Sequence, residues 1–565
     1  MKSYILALSV GLVLFASTSL QADEYPEVRR ISVEDYRNKM AGGWLGQMVG
    51  VGWGAPTEFR YKGEIIPEEN VPVWTPDRIN QYNQDDIYVE MTFLRSMELY
   101  GLDVSIRQAG IDFANSGYRL WHANRYGREN LRNGIAPPDS GHPEFNAHAD
   151  DIDYQIEADY SGLIAPGMPN MGIALGEKFG RLMNYGDGLY GGQFVAGMYA
   201  EAFFEDDPRK VVEAGLACVP AESQFAETIR DVLKWTEEHP EDWQAVWELI
   251  EAKYQDNPDY RRFSCSDGDF NIDAKINAAY IIMGLLYGES DIAKTTVISM
   301  RCGQDSDCNP SNAAGILCTI LGADNMPDEF ISALDRTPKY SHTEYNFDTL
   351  LDVCEDLARQ AVEEQGGRIE TDATGSEYFV IPVVPPVPTA LEQCWEPGPS
   401  TGSRFTEEEM EQIVTPEAEP VRSVDISAAV GKVAPGWSIR DCGPAMSPGF
   451  KTTWGGRENV LLTHPLVQNK PCVLYREVEL AAGTNVLVIE TANDPRGDWT
   501  LVVKANGEEV AREEIATLDD ETIWRTVEVD LSSLAGETVT IEIQNRANGW
   551  QFEAAYWAKI AIETR

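Results

Sequence analysis

Positive charge is scarce in this sequence. Lysine and arginine number 45 against 92 aspartates and glutamates, which gives the 565-residue chain a formal net charge of −47 at pH 7. A surface with this excess of negative charge repels phosphate groups, so we expect neither nucleic acid nor anionic membrane as a partner. Such acidity instead favours local sites for hard cations such as Mg²⁺ or Ca²⁺.

Cysteine and histidine are also sparse. The nine cysteines form no Cys-x-x-Cys pair, and the six histidines are scattered without joining a cysteine cluster. A disulfide-built scaffold and a structural zinc site are therefore disfavoured, although one or two disulfide bridges remain open. The sequence also lacks a P-loop and a dinucleotide-binding fingerprint, which argues against nucleotide binding of those two kinds.

Long apolar runs are missing beyond the N-terminus. No later segment offers about 18 uninterrupted apolar residues, so we expect no membrane insertion. Residues 1–22 have the pattern of a secretory signal peptide, with Lys2, an apolar stretch from Tyr4 to Phe15, and small or polar residues up to Ala22. The sequence therefore predicts a secreted or periplasmic protein whose fold begins after residue 22.

Composition divides the remainder into two domains of different class. Residues 27–375 carry helix-spaced apolar positions between glycine-rich segments, as in the stretch from Phe347 to Glu364. Residues 376–420 are rich in proline and predict an extended linker. Residues 421–565 alternate polar and apolar positions in short runs, with a hairpin signal at Asn506-Gly507. We therefore predict a multidomain protein, an all-α catalytic domain followed by an all-β jelly roll or sandwich.

Aromatic residues in the β-rich domain raise the question of carbohydrate binding. Its pattern partly resembles that of a galactose-binding-like jelly roll. Exposed aromatic rings stack on sugars, whereas buried ones fill a sandwich core, and the sequence leaves both uses open. The candidates are Trp499, Trp524, Trp550, Tyr556 and Trp557.

Two pairs of carboxylates stand where helices are expected to begin. Asp305 and Asp307 are spaced i and i+2 ahead of a small-residue helix, and Asp85 and Asp86 are adjacent at the start of another. Such pairs can direct oxygens at one hard cation, or they can cap the helix. An EF-hand is excluded, because its loop would need a glycine where Pro310 stands.

A third motif is dense in glycine. Glycines 42, 46, 50 and 54 fall four residues apart, which on a helix gives one smooth face for close packing. Glu58 ends this stretch, either as an acid of the site or as an ordinary loop carboxylate.

Together the three motifs resemble those of the ADP-ribosylglycohydrolase family, over about residues 30–370. In that family a glycine-rich first helix ends in a metal-linked glutamate, which Glu58 matches. The resemblance implies an all-α fold, a binuclear Mg²⁺ site and hydrolysis of ADP-ribosyl linkages.

The family's Thr-Asp-Asp motif is matched by Gln84, Asp85 and Asp86. Its Gly-x-Asp-x-Asp-Thr motif is matched by Gly303, Asp305, Asp307 and Cys308. The resemblance thus implies metal ligands at Gln84, Asp85, Asp86, Asp305, Asp307 and Cys308.

The departures from the family pattern concern the metal. Both metal-binding threonines are replaced, by Gln84 and Cys308, and a family aspartate in the first motif is replaced by Val51. Glutamine can offer a carbonyl oxygen, whereas cysteine is a poor ligand for Mg²⁺. We therefore expect one or two Mg²⁺ ions, with Mn²⁺ or Ca²⁺ as alternatives.

Candidate substrate residues lie between the metal motifs. Asp150, Asp151 and Asp153 belong to an acidic segment that is either a substrate loop or an ordinary solvated loop. Gly188 and Tyr190 follow a glycine-rich turn ahead of a helix, where a helix N-terminus could receive phosphate. Plain turn chemistry is the alternative for that second segment.

The sequence thus predicts a metal-dependent hydrolase of N- or O-glycosidic bonds. Glu58, Asp86 and Asp305 are the candidate catalytic residues, and the substrate is a small molecule or a glycan. Export favours one alternative, a glycoside hydrolase that acts on extracellular glycans with the same site. The changes at Gln84 and Cys308 favour another, a non-catalytic binding protein. The oligomeric state is left open.

Overall fold

The computed structural model describes residues 27–264, 268–340, 343–414, 423–517, 524–549 and 552–565. The predicted signal peptide and Trp550 lie outside these residues. The chain divides into two compact units, Met1–Glu417 and Ala418–Arg565. Within the described residues, every helix is too short or too polar to cross a membrane.

The first unit is helical, as predicted. Its helices are α1 (Val33–Gly54), α2 (Asp85–Tyr100), α3 (Ile106–Ala114), α4 (His122–Arg132), α5 (Asp153–Ile156), α6 (Asp159–Leu163), α7 (Pro169–Phe179), α8 (Asp187–Ala202), α9 (Pro208–Leu216), α10 (Gln224–Glu238), α11 (Trp243–Ile250), α12 (Ala274–Tyr287), α13 (Ile292–Arg301), α14 (Cys308–Leu321), α15 (Asp328–Ile331), α16 (Phe347–Glu364) and α17 (Glu407–Met410).

A small antiparallel sheet adds to the predicted all-α class. Its strands are β1 (Val28–Ser32), β2 (Arg368–Thr371) and β3 (Glu377–Pro382), in the order β1-β3-β2. Phe379 lies opposite Ile31 on one side and Ile369 on the other. The sheet therefore joins the two ends of the helical region.

The glycine face of α1 packs directly on α14, as its spacing predicted. A Cβ atom added at Gly42, Gly46, Gly50 or Gly54 would lie under 3.0 Å from a carbonyl oxygen of α14 or of the loop before it. Since these neighbours are backbone atoms, they cannot move aside as a side chain would. From Met40 onward every residue of α1 is buried, so this helix runs through the core of the unit.

The stretch predicted as a linker begins inside the fold, because β3 is the central strand of the small sheet and Phe379 is buried. After β3 it follows the surface of the helical unit over its described part. The Tyr190 hydroxyl donates to the Ala390 carbonyl at 3.0 Å. Further along, the Thr401 backbone N–H donates to Asp139 at 2.8 Å, and Arg107 pairs with Glu409. Proline keeps this segment extended, while its remaining polar groups bond to the helices beneath.

The second unit contains two five-stranded antiparallel sheets. Their orders are β10-β9-β12-β7-β4 and β11-β8-β13-β6-β5. The elements are α18 (Ser427–Val433), β4 (Ser438–Arg440), β5 (Gly449–Trp454), β6 (Arg457–Thr463), β7 (Cys472–Glu479), β8 (Asn485–Asn493), β9 (Trp499–Ala505), β10 (Glu508–Ile515), β11 (Trp524–Asp530), β12 (Thr538–Arg546) and β13 (Ala555–Thr564).

The predicted hairpin turn joins β9 to β10. Ala505 pairs with Glu508, and both residues between them have positive φ, 50° at Asn506 and 86° at Gly507. These are the signs of a type I′ turn, which suits the twist of the flanking strands. The β-sandwich class predicted for this unit is confirmed.

The aromatic candidates for sugar stacking need correction. Trp499 and Trp557 are fully buried in the sandwich core, with ring centroids 5.2 Å apart, and Tyr556 is also buried. Trp524 is half-buried, and its Nε1 donates to the Gly455 carbonyl at 2.7 Å. The adjacent Tyr556 and Trp557 are buried in two different apolar clusters, which the sequence alone did not resolve.

The glycine packing predicts the effect of a small substitution. Gly50→Ala should destabilise the helical unit by about 1–3 kcal/mol, because the new methyl group would overlap the backbone of Pro310 and Ser311. The measurement is the calorimetric unfolding midpoint. Gly431→Ala, in α18 where nothing lies within 4 Å of the new Cβ, is the control and should lower neither midpoint. Equal midpoints for both variants would contradict the account.

Candidate metal centre

The loop between α13 and α14 is held in an unusual backbone conformation. Gly303 has φ 86°, and a Cβ there would lie 2.9 Å from the carbonyl oxygens of Tyr61 and Glu64. Gln304 also has positive φ, at 55°. Its Oε1 accepts from the Asn271 backbone N–H at 3.0 Å, and its Nε2 donates to the Asp269 carbonyl at 2.7 Å. These bonds fix the direction in which the following carboxylates leave the loop.

Asp305, Asp307 and Cys308 form one buried group at the start of α14. Their ligand atoms all lie within 4.8 Å of one another. Asp85, Asp86 and Cys308 form a second group within the same limit. Because Cys308 belongs to both, the two predicted carboxylate pairs meet at one place.

Oxygens without partners characterise this site. Both carboxylate oxygens of Asp86 and one of Asp307 are buried without a hydrogen-bond partner among the described residues. A buried polar atom left unpaired is costly, and an unpaired carboxylate more so. The donor set of clustered carboxylate oxygens fits a hard divalent cation such as Mg²⁺.

The pKa values of the four aspartates also indicate a site suited to a cation. Burial raises the pKa of Asp85 to about 6. Burial, followed by repulsion from Asp307, raises the pKa of Asp86 well above its ordinary value. The pKa values of Asp305 and Asp307 are raised in the same manner, by burial and by neighbouring carboxylates. The protein itself therefore supplies too little positive charge to balance these four carboxylates.

Glu58 lies beside these carboxylates. It follows a 3₁₀ turn, Ala55–Thr57, at the end of α1, and Thr57 shares a 2.7 Å hydroxyl bond with Ser306. Burial raises the pKa of Glu58 well above its ordinary value, as do the charges of Asp307 and Asp85. Glu58 and Asp85 are half-buried, so they form the accessible side of the site.

The two altered family positions differ in their placement. Burial and four surrounding carboxylates raise the pKa of the Cys308 thiol well above its ordinary value, which keeps it protonated. A protonated thiol is a poor metal ligand. Gln84 precedes α2. Its side chain makes no capping hydrogen bond, and its backbone carbonyl accepts from the backbone N–H groups of Ile87 and Tyr88.

Three further buried carboxylates, Glu90, Glu157 and Asp159, stand near the site, and none of them was predicted from the sequence. Burial raises the pKa of Glu90 and of Glu157 well above the ordinary value, and repulsion adds to the rise, from Asp159 at Glu90 and from Asp153 and Asp85 at Glu157. Asp159 accepts from Asn312 Nδ2 at 2.7 Å and from the Tyr199 hydroxyl. Glu90 could have been found, because it stands i+4 from Asp86 on one helix face. The other two are brought in by tertiary packing.

The predicted substrate aspartates separate into two places. Asp153 accepts from the backbone N–H groups of Ala123 and Asn124 at 3.2 and 3.0 Å. Burial raises its pKa to about 7, and the charge of Asp85 adds to this rise, which places Asp153 near the metal centre. Asp150 and Asp151 belong instead to a separate buried group with Asp273.

Gly188 and Tyr190 serve packing in this structure. A Cβ at Gly188 would lie 2.5 Å from the Ala149 carbonyl oxygen. Tyr190 is fully buried, and its hydroxyl also accepts from the Glu392 backbone N–H at 2.7 Å. The structure therefore does not bring these two residues to the carboxylate set.

Aromatic rings border the site. Phe59, next to Glu58, packs edge-on against Phe270 with centroids 5.2 Å apart, and both contact a small cluster that includes Cys308. His122 lies 5.9 Å from Phe270 and stacks on His148 at 5.4 Å. These half-buried rings offer flat surfaces to a sugar or to a planar leaving group.

Comparison with known proteins gives one family. The family model described as ADP-ribosylglycohydrolase matches residues 32–367. No curated protein matches the chain.

Solved structures match only remotely. An ADP-ribosylglycohydrolase-related protein complex is 14% identical with a TM-score of 0.39, covering 58% of this chain and 99% of its own. The K3 adhesin domain of Lys-gingipain from Porphyromonas gingivalis is 14% identical with a TM-score of 0.18, covering 23% and 94%. CBM35 from Paenibacillus barcinonensis is 14% identical with a TM-score of 0.17, covering 24% and 96%. Scores this low establish nothing about activity.

The raised pKa values predict how stability depends on pH. Without metal, the folded chain keeps protons on Asp85 up to about pH 6 and on Asp153 up to about pH 7, whereas ordinary aspartates lose theirs near 3.8. The lowered pKa values of His122, His148 and His464 act in the opposite sense. They are fewer than the raised carboxyl groups, which also include Asp86, Asp305 and Asp307, so the folded state binds more protons than the unfolded state. Stability therefore falls as pH rises through this window. In chelator, the unfolding midpoint should decrease from pH 5 to pH 8.

Added Mg²⁺ should stabilise the protein more at pH 8 than at pH 5, because metal binding requires deprotonated carboxylates. Asp85→Asn should weaken the pH dependence measured in chelator. The exposed Asp103→Asn is the matched control and should behave as wild type. A midpoint in chelator that rises with pH would contradict the assignment.

Proposed function

The chain belongs to the ADP-ribosylglycohydrolase family, and from this premise we propose that it hydrolyses an N- or O-glycosidic bond at a divalent-metal centre. Membership supports a glycosidic-bond hydrolase at the level of the family. The observation that carries the metal dependence is the convergence of four aspartates from α2 and the α14 loop, with buried oxygens left unpaired.

Asp85, Asp86, Asp305 and Asp307 would hold the metal, with Mg²⁺ as the ion proposed and Mn²⁺ or Ca²⁺ as alternatives. When bound, a divalent ion supplies electrophilic polarisation of sugar or water oxygens and stabilises developing negative charge. The threonine of the family pattern would supply a metal ligand at position 308, whereas the protonated Cys308 thiol does not. We therefore propose at least one ion.

Glu58 is the proposed acid–base residue. Glu58 is a half-buried residue beside the four aspartates, and burial and neighbouring carboxylates raise its pKa, so it is protonated more readily than an ordinary glutamate. A group with this property can give a proton to a leaving group or take one from water. Asp86 and Asp305 would act beside it by orienting the reacting oxygens.

The surrounding residues would position the sugar and limit access of water. Phe59 and Phe270 cover one side of the carboxylate set. Arg119 and Arg60 lower the pKa of Glu58 by their charge, so positive charge also reaches the exposed side. Such charge favours an electron-rich leaving group or an anionic substituent, as in an ADP-ribosyl linkage.

An extracellular glycan is a second candidate substrate, on the grounds of the signal-peptide pattern and the appended β-sandwich. The burial of Trp499 and Trp557 removes two of the rings that favoured it. We propose a secreted or periplasmic location on the same N-terminal pattern, with a small molecule or glycan as the partner and without nucleic acid or membrane insertion.

The proposal predicts a loss of turnover in two variants. Glu58→Gln should lower kcat by about 10²–10⁴-fold, since it removes the proton-transferring group while keeping its size. Asp307→Asn should abolish turnover together with Mg²⁺ binding. Product release is measured by mass spectrometry on ADP-ribosyl-Arg, ADP-ribosyl-Ser and a panel of pentosides and hexosides.

Glu69→Gln is the matched control for Glu58→Gln. Glu69 also follows α1 but is exposed, so this variant should retain wild-type activity. Release of ADP-ribose would support the first substrate class, and release of a simple sugar would support the glycan alternative. Turnover that survives chelation and Asp307→Asn would overturn the metal-dependent mechanism. Absence of turnover on every substrate would favour the binding-protein alternative.

A further inference from the structure

A second buried carboxylate group lies in the helical unit, apart from the four aspartates of the metal centre. It consists of Asp150, Asp151 and Asp273, whose ligand atoms lie within 4.8 Å of one another. The three residues are only 2%, 0% and 1% exposed. They come from two segments that the sequence separates by more than a hundred residues.

The backbone around this group is tightly bonded. Asp151 and Asp273 form an isolated antiparallel bridge. The Ile152 N–H donates to the Ile272 carbonyl, and the Ala274 N–H donates to the Asp150 carbonyl, both at 3.0 Å. The backbone therefore does not need the three carboxylates in order to join the two segments.

Asp273 supplies a separate indication of a ligand. Both of its carboxylate oxygens are buried and have no hydrogen-bond partner among the described residues, and one of them lies within the group. One oxygen of Asp150 is unpartnered as well. A fully buried carboxylate with two unpaired oxygens is costly unless a cation or a proton satisfies it.

Neighbouring cations do not balance the charge. The Lys275 ammonium group is nearest to Asp187, at 3.3 Å, and lies 3.9 Å from Asp150. His148 Nδ1 pairs with Asp151 at 2.7 Å. Burial raises the pKa of Asp273, and the charges of Lys275 and Arg261 both act to lower it. Four carboxylates, those of Asp150, Asp151, Asp187 and Asp273, are thus set against two cationic side chains and one histidine, which leaves net negative charge around Asp273.

We propose that Asp150, Asp151 and Asp273 bind a divalent cation of the Ca²⁺ class, at a site separate from the metal centre. The ion adds a side-chain link to the backbone bridge between the segment that carries Asp153 and the start of α12. It thereby fixes one wall of the candidate active site, and it does not depend on the proposed reaction.

Calcium fits this group better than magnesium does. Mg²⁺ gives up its water reluctantly and usually retains several water ligands, whereas Ca²⁺ accepts irregular sets of protein oxygens. The three carboxylates are fully buried, in contrast to Asp85 and Glu58, which are half-buried. The separation of up to 4.8 Å between ligand atoms lies within the span of a Ca²⁺ shell, about twice 2.3–2.6 Å.

The test is a Ca²⁺ titration of the metal-stripped chain by calorimetry, in saturating Mg²⁺. Wild type should bind one Ca²⁺ per chain, and Asp307→Asn should still bind it. Asp273→Asn should weaken this binding at least about tenfold, because it removes one charged ligand. Asp112→Asn, a half-buried carboxylate elsewhere, is the matched control and should bind as wild type.

A readout on the wild type covers the case in which Asp273→Asn does not fold. Ca²⁺ added in Mg²⁺ should slow hydrogen exchange of the amides at residues 150–153 and 271–274. Ca²⁺ binding that Asp307→Asn removes, or that Asp273→Asn leaves unchanged, would overturn the proposal. Absence of both binding and slowed exchange in wild type would also overturn it. If Asp307→Asn loses turnover but still binds this Ca²⁺, the metal centre and the Asp150–Asp151–Asp273 site are separate. The two proposals can then fail independently.

Discussion

The contact between α1 and α14 is the constraint on which the site depends. Four glycines remove every side chain from one face of α1, so the backbone of α14 and the preceding loop can approach it directly. This approach sets the end of α1, with Glu58, beside Ser306 and Asp307. A larger residue at any of these glycines would separate the helices and displace the carboxylates that they position.

The same arrangement carries an electrostatic cost. Asp85, Asp86, Asp305 and Asp307 are held together although burial and mutual repulsion favour their neutral forms. Buried carboxylates of this kind are costly unless they are protonated, paired or bound to a metal. The proposed divalent cation would offset this cost, and the close backbone packing supplies the rigidity that such a site requires.

Much of this organisation was predictable because it depends on local patterns. Glycine spacing indicated the α1 face, the Asp85–Asp86 and Asp305–Asp307 pairs indicated the site, and period-two alternation indicated the sandwich. Glu157 and Asp159 were not predictable, since only tertiary packing brings them near Asp86. Tyr190 was misplaced for the same reason, because the proline-rich segment that covers its hydroxyl lies 200 residues away. Whether Trp499 faces inward depends on the pairing of two sheets, which one sequence does not specify.

The proposed function depends on a divalent-metal centre formed by the four aspartates. Its most direct test is anomalous X-ray scattering from crystals of the protein grown with Mn²⁺. A strong anomalous peak is expected within ligand distance of the carboxylate oxygens of Asp86 and Asp307. Full occupancy of Mn²⁺ elsewhere in the crystal, with no peak between these two carboxylates, would contradict it.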